Sequence, residues 1–315
     1  MPAVEPSLAA LPNPALRFFL ATRPPFLVVT LVGCLIGVAT AYASGLNIIT
    51  STAVVTVVFA LMAHAGINVL NDYYDALSGT DANNSERIYP FTGGSRFIQN
   101  GVLSMRETAL YGVLLIAVVV VAGLWLTSVS APNLFWIGVA GLVIGWTYSA
   151  PPLKLNSRGM GEACVWAGFA LLAIGADFVQ RGQFAAMPLI AVAGYALLVT
   201  NILYINQFPD RKADAAAGKH HWVVRLGASR ARWGYLMMVI MAYGWLVTAV
   251  IIGWLPWPVL IAILPVLLSL RAARDLIFYA ETPAKLAPAI QMTIAAASLH
   301  GLLLAASLVV PRLLA

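Results

Sequence analysis

Five of the seven aspartates in this chain fall in two short clusters. The first reads Asn68-Val-Leu-Asn71-Asp72-Tyr-Tyr-Asp75, with Asp81 just beyond it; the second reads Asn206-Gln-Phe-Pro-Asp210-Arg-Lys-Ala-Asp214. Laid on a helix, Asn68, Asn71, Asp72 and Asp75 share one face, and His64 lies four residues earlier on the same stripe. Asn206, Asp210 and Asp214 follow at spacings of four, and Pro209 suits the first turn of a short loop helix that starts there. Carboxylates crowded in this way repel one another unless cations neutralise them. An all-oxygen set without cysteine or paired histidine selects hard cations. Mg²⁺ takes one or two carboxylates and completes its shell with water and substrate phosphate. With Arg87, Arg96, Lys154, Arg158, Arg211 and Lys219 nearby as candidate cations, two such clusters make a cradle for a diphosphate. The chemistry this suggests is ionisation of an allylic diphosphate and capture of the cation by an acceptor.

The elements that must position these residues are apolar. The chain is 61% hydrophobic and 10% charged, with a mean hydropathy of +0.87, against roughly 25% charged in a soluble domain. A soluble all-helical protein of this composition has too little polar sequence to cover its surface. Nine apolar windows approach the length of a membrane helix: 21–44, 48–71, 108–128, 132–151, 161–179, 186–208, 232–254, 256–279 and 288–311. The expected fold is therefore an all-α membrane protein, a bundle of nine transmembrane helices in one domain over residues 1–315. Residues 1–20 read as an N-terminal tail and not as a cleaved signal. Cys34 and Cys164 read as small core residues.

Sixteen of the eighteen basic residues fall on one side of this nine-span frame, leaving Arg181 and Arg312 opposite. The positive-inside rule then puts the N-terminus and both aspartate clusters in the cytoplasm, the C-terminus opposite, and the chain in the cell's inner membrane. The connections on that side are long, about 36 residues after the second span and about 23 after the sixth, and are expected to be ordered caps over a cavity. The net charge of +6 is a membrane-surface property, and no nucleic-acid module is present. Asp177 and His300 lie inside spans, where ion or proton pathways would need them, but each is isolated and reads as a satisfied packing residue. His220 and His221 are adjacent, point different ways on regular structure, and read as solvent-facing side chains at the surface.

At these residues the chain resembles the UbiA superfamily of intramembrane prenyltransferases over about residues 20 to 310. Four anchors carry the resemblance. They are Asn68 to Asp75 with Gly79-Thr-Asp81; Gly93-Gly-Ser-Arg96; Tyr148-Ser-Ala-Pro-Pro-Leu-Lys154 with Arg158-Gly-Met-Gly161-Glu162; and Asp210-Arg-Lys-Ala-Asp214 with Gly218-Lys219. The first, second and fourth are most similar to the menaquinone branch, which prenylates 1,4-dihydroxy-2-naphthoate. Ile205-Asn-Gln-Phe-Pro209 departs from that branch's Asn-Asn-x-Arg-Asp form. His220-His221-Trp222 replaces its Arg-Thr-Leu, and Ala76 stands where the common pattern has a third aspartate.

The resemblance implies that Asp72 and Asp75 bind one Mg²⁺ and Asp210 and Asp214 another, bridging the diphosphate, with Asn68 and Asn206 helping from the neighbouring turn. It implies roles for Lys154, Arg96 and Lys219 toward the diphosphate, for Tyr148 toward the cation or ring, and for Asp81 through the first loop. The candidate substrate-binding set also takes in Asn71, Arg158 and His64. The implied partners are a polyprenyl diphosphate, an aromatic acceptor and membrane lipid, the tail passing through a lateral opening. Other acceptors of the superfamily are 4-hydroxybenzoate, homogentisate, a porphyrin and glycerol phosphate. Outside it, a secondary transporter or a lipid-binding scaffold would use the same spans. Nothing in the sequence sets tail length or oligomeric state.

Overall fold

Residues 4–314 are described by the computed structural model. Eleven α-helices account for most of them, and no strand occurs among the described residues. α1 (Pro14–Ala21) precedes α2 (Pro24–Ala43) and the long α3 (Thr50–Ser78). α4 (Met105–Val129) and the shorter α5 (Leu134–Ser149) lead to α6 (Gly161–Arg181) and the longest helix, α7 (Met187–Ala216). The single-turn α8 (Trp222–Leu226) is followed by α9 (Ala228–Ile251), α10 (Val266–Tyr279) and α11 (Ala287–Leu313). Seven of these, α2, α3, α4, α6, α7, α9 and α11, are long and apolar enough to cross a membrane. Of the two remaining expected spans, α5 has only 16 residues. The other is broken into a 3₁₀ turn, Trp257–Ile263, and α10.

α7 is the axis of the bundle, packed against α2, α6, α9 and α11, while α3 pairs mainly with α4. In lipid there is no hydrophobic drive to bring helices together, so small residues that admit close backbone approach do much of the positioning. Gly37 of α2 shows this: a Cβ there would overlap Ala173 O of α6 and lie 2.8 Å from Ala176 Cβ. An apolar groove of about 500 Å³ opens between α2 and α11, lined by Leu35, Tyr42, Leu302 and Val309 among others.

Two expectations are corrected by the helix ends. α7 does not stop before a separate loop helix; it runs through Pro209 to Ala216. Proline costs the helix a hydrogen bond, but Phe208 and Pro209 are buried in the bundle, and that packing holds the axis continuous. α3 likewise runs past Asp72 to Ser78, so the first cap is shorter than expected. No helix forms between Gly79 and Ser104, whereas the second cap contains α8.

The end of the bundle away from the aspartate clusters is closed by Asp177. Its carboxylate is 1% exposed and accepts from Thr40 Oγ1 at 3.0 Å and from Arg181 at 2.6 and 2.8 Å. Arg181 also donates to Ser44 Oγ. His300 bonds Ala262 O at 2.7 Å, so both intramembrane polar residues are satisfied, as expected. Asp177→Asn leaves Arg181 without its counter-ion and lowers stability by about 3 kcal/mol. A thermal melt in detergent is expected to show that loss with turnover at the melting-free temperature intact.

Candidate active site

The C-terminal ends of α3 and α7 bring the two aspartate clusters together at one end of the bundle. Lys219, in the turn after α7, joins them: its Nζ lies 2.8 Å from Asp75 Oδ1 and 3.2 Å from Asp214 Oδ1. The loop between α3 and α4 folds back over the gap. Asn84 Nδ2 donates to Asp210 Oδ1 at 2.5 Å, Gly93 N donates to Asp210 Oδ2 at 3.4 Å, and Ser95 N donates to Asp72 Oδ1 at 3.3 Å. Gly94 sits so close that a Cβ would overlap Asp81 Oδ2 and lie 3.2 Å from Asp72 Oδ1. Asp72, Asp81 and Asp214 are all buried.

Burial pushes the Asp81 carboxyl well above the usual carboxylate range, and the neighbouring Asp75, Asp72 and Asp210 push it further. Burial by itself would lower the Lys219 ammonium; Asp75 and Asp214 outweigh it and hold the pKa above that of an ordinary lysine. The site is thus short of positive charge: among the described residues Lys219 is the one ammonium in direct contact with the clusters, and it is held charged between them.

The donor set fits a hard divalent cation. Asp81 Oδ2 and Asn206 Oδ1 are buried with no partner among the described residues, which is costly unless a cation or donor arrives. Among the described residues no three carboxylate, histidine or cysteine side chains already converge on one point. Lys219 holds two of the carboxylates in ion pairs, supplying part of the positive charge that the clusters require.

Several expected residues do join this cluster. Lys154, Asp75, Tyr74, Ser149, Asn156 and Lys219 line a cleft of about 110 Å³. Tyr148 lies beside the cleft-lining Ser149 at the C-terminal end of α5. Asn71 Nδ2 donates to Ser149 Oγ at 2.8 Å and Asn68 Nδ2 to Thr22 O at 3.0 Å, tying α3 to its neighbours. Three others are turned elsewhere. His64 bonds Thr30 at 2.6 Å and meets the Phe169 ring edge-on; two helical turns, about 12 Å, separate it from Asp72. Arg158 is exposed and donates to Pro152 O. Arg96 is buried in a left-handed backbone (φ 67°), and its guanidinium donates to the Asp81 carbonyl and not to any cluster carboxylate.

His221 corrects the surface reading of the histidine pair. It is 3% exposed, and Nε2 lies 3.0 Å from Asp214 Oδ2; folding of the Gly218–Lys219 turn carries it inward. Asn84 carries no signal in the sequence, and Gly93 and Ser95 belong to the Gly93–Arg96 anchor without any contact being legible there, because these hydrogen bonds form only when the loop closes.

The N-terminal tail adds one more contact that sequence does not reveal. Glu5 accepts from Arg87 Nε at 2.7 Å and lies 3.7 Å from Arg96 Nε, strapping the tail over the loop. The hydrogen bond from Arg87 holds the Glu5 carboxyl below its usual value of 4.5, against a smaller effect of burial. A lowered carboxylate contributes stability that is present above pH 4.5 and lost as pH falls through the lowered value. Glu5→Gln is expected to cost at most about 1 kcal/mol at pH 7. The difference from the parent should close as melts are repeated at pH values below 4.5.

An apolar helical bundle in which the ends of α3 and α7 bring two carboxylate clusters together defines a multi-pass membrane protein with a polar site at its rim. The UbiA prenyltransferase family model matches residues 26–308, and the chain belongs to that family. It is 28% identical over 284 residues, 88% of each chain, to the 2-carboxy-1,4-naphthoquinone phytyltransferase of Synechocystis. It is 27% identical over 189 residues to the 1,4-dihydroxy-2-naphthoate octaprenyltransferase of Mycobacterium leprae, a match covering 60% of this chain and 62% of that protein. Its fold is similar to that of a solved UbiA homologue from Archaeoglobus fulgidus bound to DMAPP and Mg²⁺, with a TM-score of 0.58 at 16% identity over 92% of this chain and 99% of that one.

Proposed function

We propose that the protein transfers a prenyl group from a polyprenyl diphosphate to an aromatic acceptor of the 1,4-dihydroxy-2-naphthoate type, with Mg²⁺ as cofactor, in menaquinone-type quinone synthesis. The observation that carries this reading is the meeting of two carboxylate clusters around Lys219 at the end of an apolar bundle. The names of the Synechocystis and Mycobacterium leprae relatives support the naphthoate-derived acceptor. The Mg²⁺ and prenyl diphosphate of the Archaeoglobus homologue support the donor chemistry.

Asp72 and Asp75 with Asn68 would hold one ion, and Asp210 and Asp214 with Asn206 a second. The ions, when bound, supply Lewis-acid neutralisation of the leaving diphosphate. Lys219 and Lys154 bind free diphosphate oxygens as point charges, and Arg96 and Asp81 fix the loop that covers them. The C–O bond of the allylic ester breaks, with its electron pair leaving on the diphosphate. The acceptor ring then forms the new C–C bond and loses CO₂ or a proton from that carbon. The Tyr148 ring steadies the allylic cation with its negative face. The groove between α2 and α11 supports a lateral path for the hydrocarbon tail.

In this reading α5 and the Trp257–Tyr279 segment complete a single domain of nine spans, with the N-terminus and the site loops cytoplasmic and the C-terminus opposite. The sixteen basic residues gathered on the site side support it. The test is purified protein given several all-trans prenyl diphosphates and a panel of acceptors, with and without EDTA, and products read by mass. With 1,4-dihydroxy-2-naphthoate the expected product is a prenylated 1,4-dihydroxynaphthalene, the carboxyl having left as CO₂, formed only with Mg²⁺. Turnover that ignores EDTA, or no product with any arene, overturns the reading.

A further inference from the structure

Glu162, half-buried in the first turn of α6, and the buried Gln207 of α7 form a polar pair that none of these roles uses. Gln207 is one residue past Asn206, where the chain departs from the menaquinone-branch pattern. Its Nε2 donates to Glu162 Oε1 at 2.9 Å. A carboxylate in this bond only accepts, so the amide orientation is fixed and Gln207 Oε1 must face elsewhere. Gln207 is 7% exposed, and Gln207 Oε1 and Glu162 Oε2 are both buried without a partner among the described residues. No lysine, arginine or histidine among the described residues pairs with Glu162.

Two buried acceptor atoms without donors are expensive for the fold and call for a ligand that brings donors. A phosphate or carboxylate facing this pair would be repelled by Glu162, so the carboxylate of a naphthoate acceptor must point away from it, and a hydrocarbon would leave both atoms unpaired. A ring bearing hydroxyl groups meets both demands, and a hydroxyl donating to a carboxylate makes a charge-assisted bond. The pair also borders the site: Glu162 follows Gly161, which packs against Asn156 of the Asp75–Lys154–Lys219 cleft, and Gln207 lies one helical turn before Asp210 on α7.

We propose that Glu162 and Gln207 are the hydroxyl-recognition site for the aromatic acceptor and determine which arene is prenylated. The inference rests on the prenyl-transfer reading. The carboxylate takes the hydrogen bond of one ring hydroxyl, which enriches the ring in electrons and turns its reacting carbon toward the donor. Gln207 Oε1 takes a second donor from the same ligand, and its amide holds the carboxylate in place.

The experiment compares 1,4-dihydroxy-2-naphthoate with its mono- and di-O-methyl ethers on the full chain in nanodiscs. Binding is read by tryptophan fluorescence, and turnover by product mass. The parent is expected to bind the dihydroxy compound at least about 100-fold more tightly than the dimethyl ether, as sites built to pair a hydroxyl do. Glu162→Gln and Gln207→Leu should each raise the acceptor KM about tenfold or more and shrink that discrimination, while the prenyl diphosphate KM and the Mg²⁺ midpoint stay within about twofold. Glu162→Asp should recover part of the discrimination. Equal binding of arene and ether by the parent overturns the proposal without any variant. So does an unchanged acceptor KM in both variants while the parent still makes Mg²⁺-dependent product, an outcome that leaves the functional reading standing. Absence of Mg²⁺-dependent prenyl diphosphate binding by the parent overturns both.

Discussion

Asp72→Asn and Asp210→Asn are each expected to lower Mg²⁺-dependent diphosphate release by about 10³-fold or more while making the metal-free protein more stable. The two effects have opposite signs because the same carboxylates are wanted by the reaction and resisted by the fold. Electrostatic stabilisation at a reacting centre is worth roughly 10²–10³ per donor group, and removing a metal ligand removes both the ligand and a share of the ion it holds. The fold's side is set by crowding. Asp72 is 4% exposed, Asp81 is equally buried, and among the described residues Lys219 is the one ammonium in contact with the clusters. An asparagine keeps an oxygen that can accept from Ser95 N at position 72; at position 210 it keeps the short bond from Asn84 Nδ2 and gives up only the long one from Gly93 N, which goes to the other carboxylate oxygen. What it removes is one negative charge, and with it repulsion on the order of 1 kcal/mol at an effective protein dielectric.

The measurement is a pair of melts for each chain, one in EDTA and one with Mg²⁺ and a prenyl diphosphate. The parent should gain strongly from the additions. The variants should start higher and gain little. A change that merely damaged the core would lower both melts and leave the gain intact. Full Mg²⁺-dependent turnover in both variants would remove these aspartates from the chemistry.

The carboxylate rows were legible because a membrane helix leaves few choices. Apolar sequence long enough to span lipid must be helical, so a spacing of three or four residues fixes which side chains share a face, and α3 and α7 carry Asp72, Asp75, Asp210 and Asp214 as that geometry requires. The family resemblance added the meaning of the rows and the place of Lys219 and Lys154. The shorter elements were harder to read. Pro209 looked like a helix start because a proline's local cost is visible in sequence, whereas the packing that carries α7 through it is not. His221 looked solvated beside His220; only the turn after α7 shows that one of the two faces Asp214.

Glu5, Asn84 and the Glu162–Gln207 pair share a different obstacle. Glu5 is 82 residues from Arg87, Asn84 is 126 from Asp210, and Glu162 is 45 from Gln207. No periodicity links such pairs. They arise from the order in which helices pack, and that order is set by small residues such as Gly37 meeting Ala173 and Ala176. The same limit explains why basic residues were harder to rank than acidic ones. Long side chains such as Arg158 and Arg96 reach in directions that spacing alone does not fix, and one turned to Pro152 O while the other turned to Asp81 O.

The loop between α3 and α4 offers the sharpest separation of backbone strain from site geometry, through two glycines in the same loop. Gly94 and Gly101 both adopt left-handed backbone, with φ of 71° and 66°, and alanine at either pays the same steric penalty of about 1–2 kcal/mol. Their surroundings differ completely. Nothing lies within 4 Å of a Cβ on Gly101, whereas a Cβ on Gly94 would overlap Asp81 Oδ2, lie 2.9 Å from Asp81 Cγ and reach to 3.2 Å from Asp72 Oδ1. Gly101→Ala should therefore lose stability alone and keep turnover within about threefold. Gly94→Ala carries the same strain and also drives Asp81 off the position from which it faces Asp72 and Asp75. A displacement of about 1 Å in a reacting constellation costs on the order of 10²-fold, so turnover should fall by at least that much and the Mg²⁺ midpoint should rise. Melts matched between the two variants make the comparison clean, because equal loss of stability with unequal loss of turnover can come only from the carboxylates. If both alanines reduce turnover alike, the Gly93–Arg96 turn is a passive cover and the aspartates are set by α3 and α7 without it.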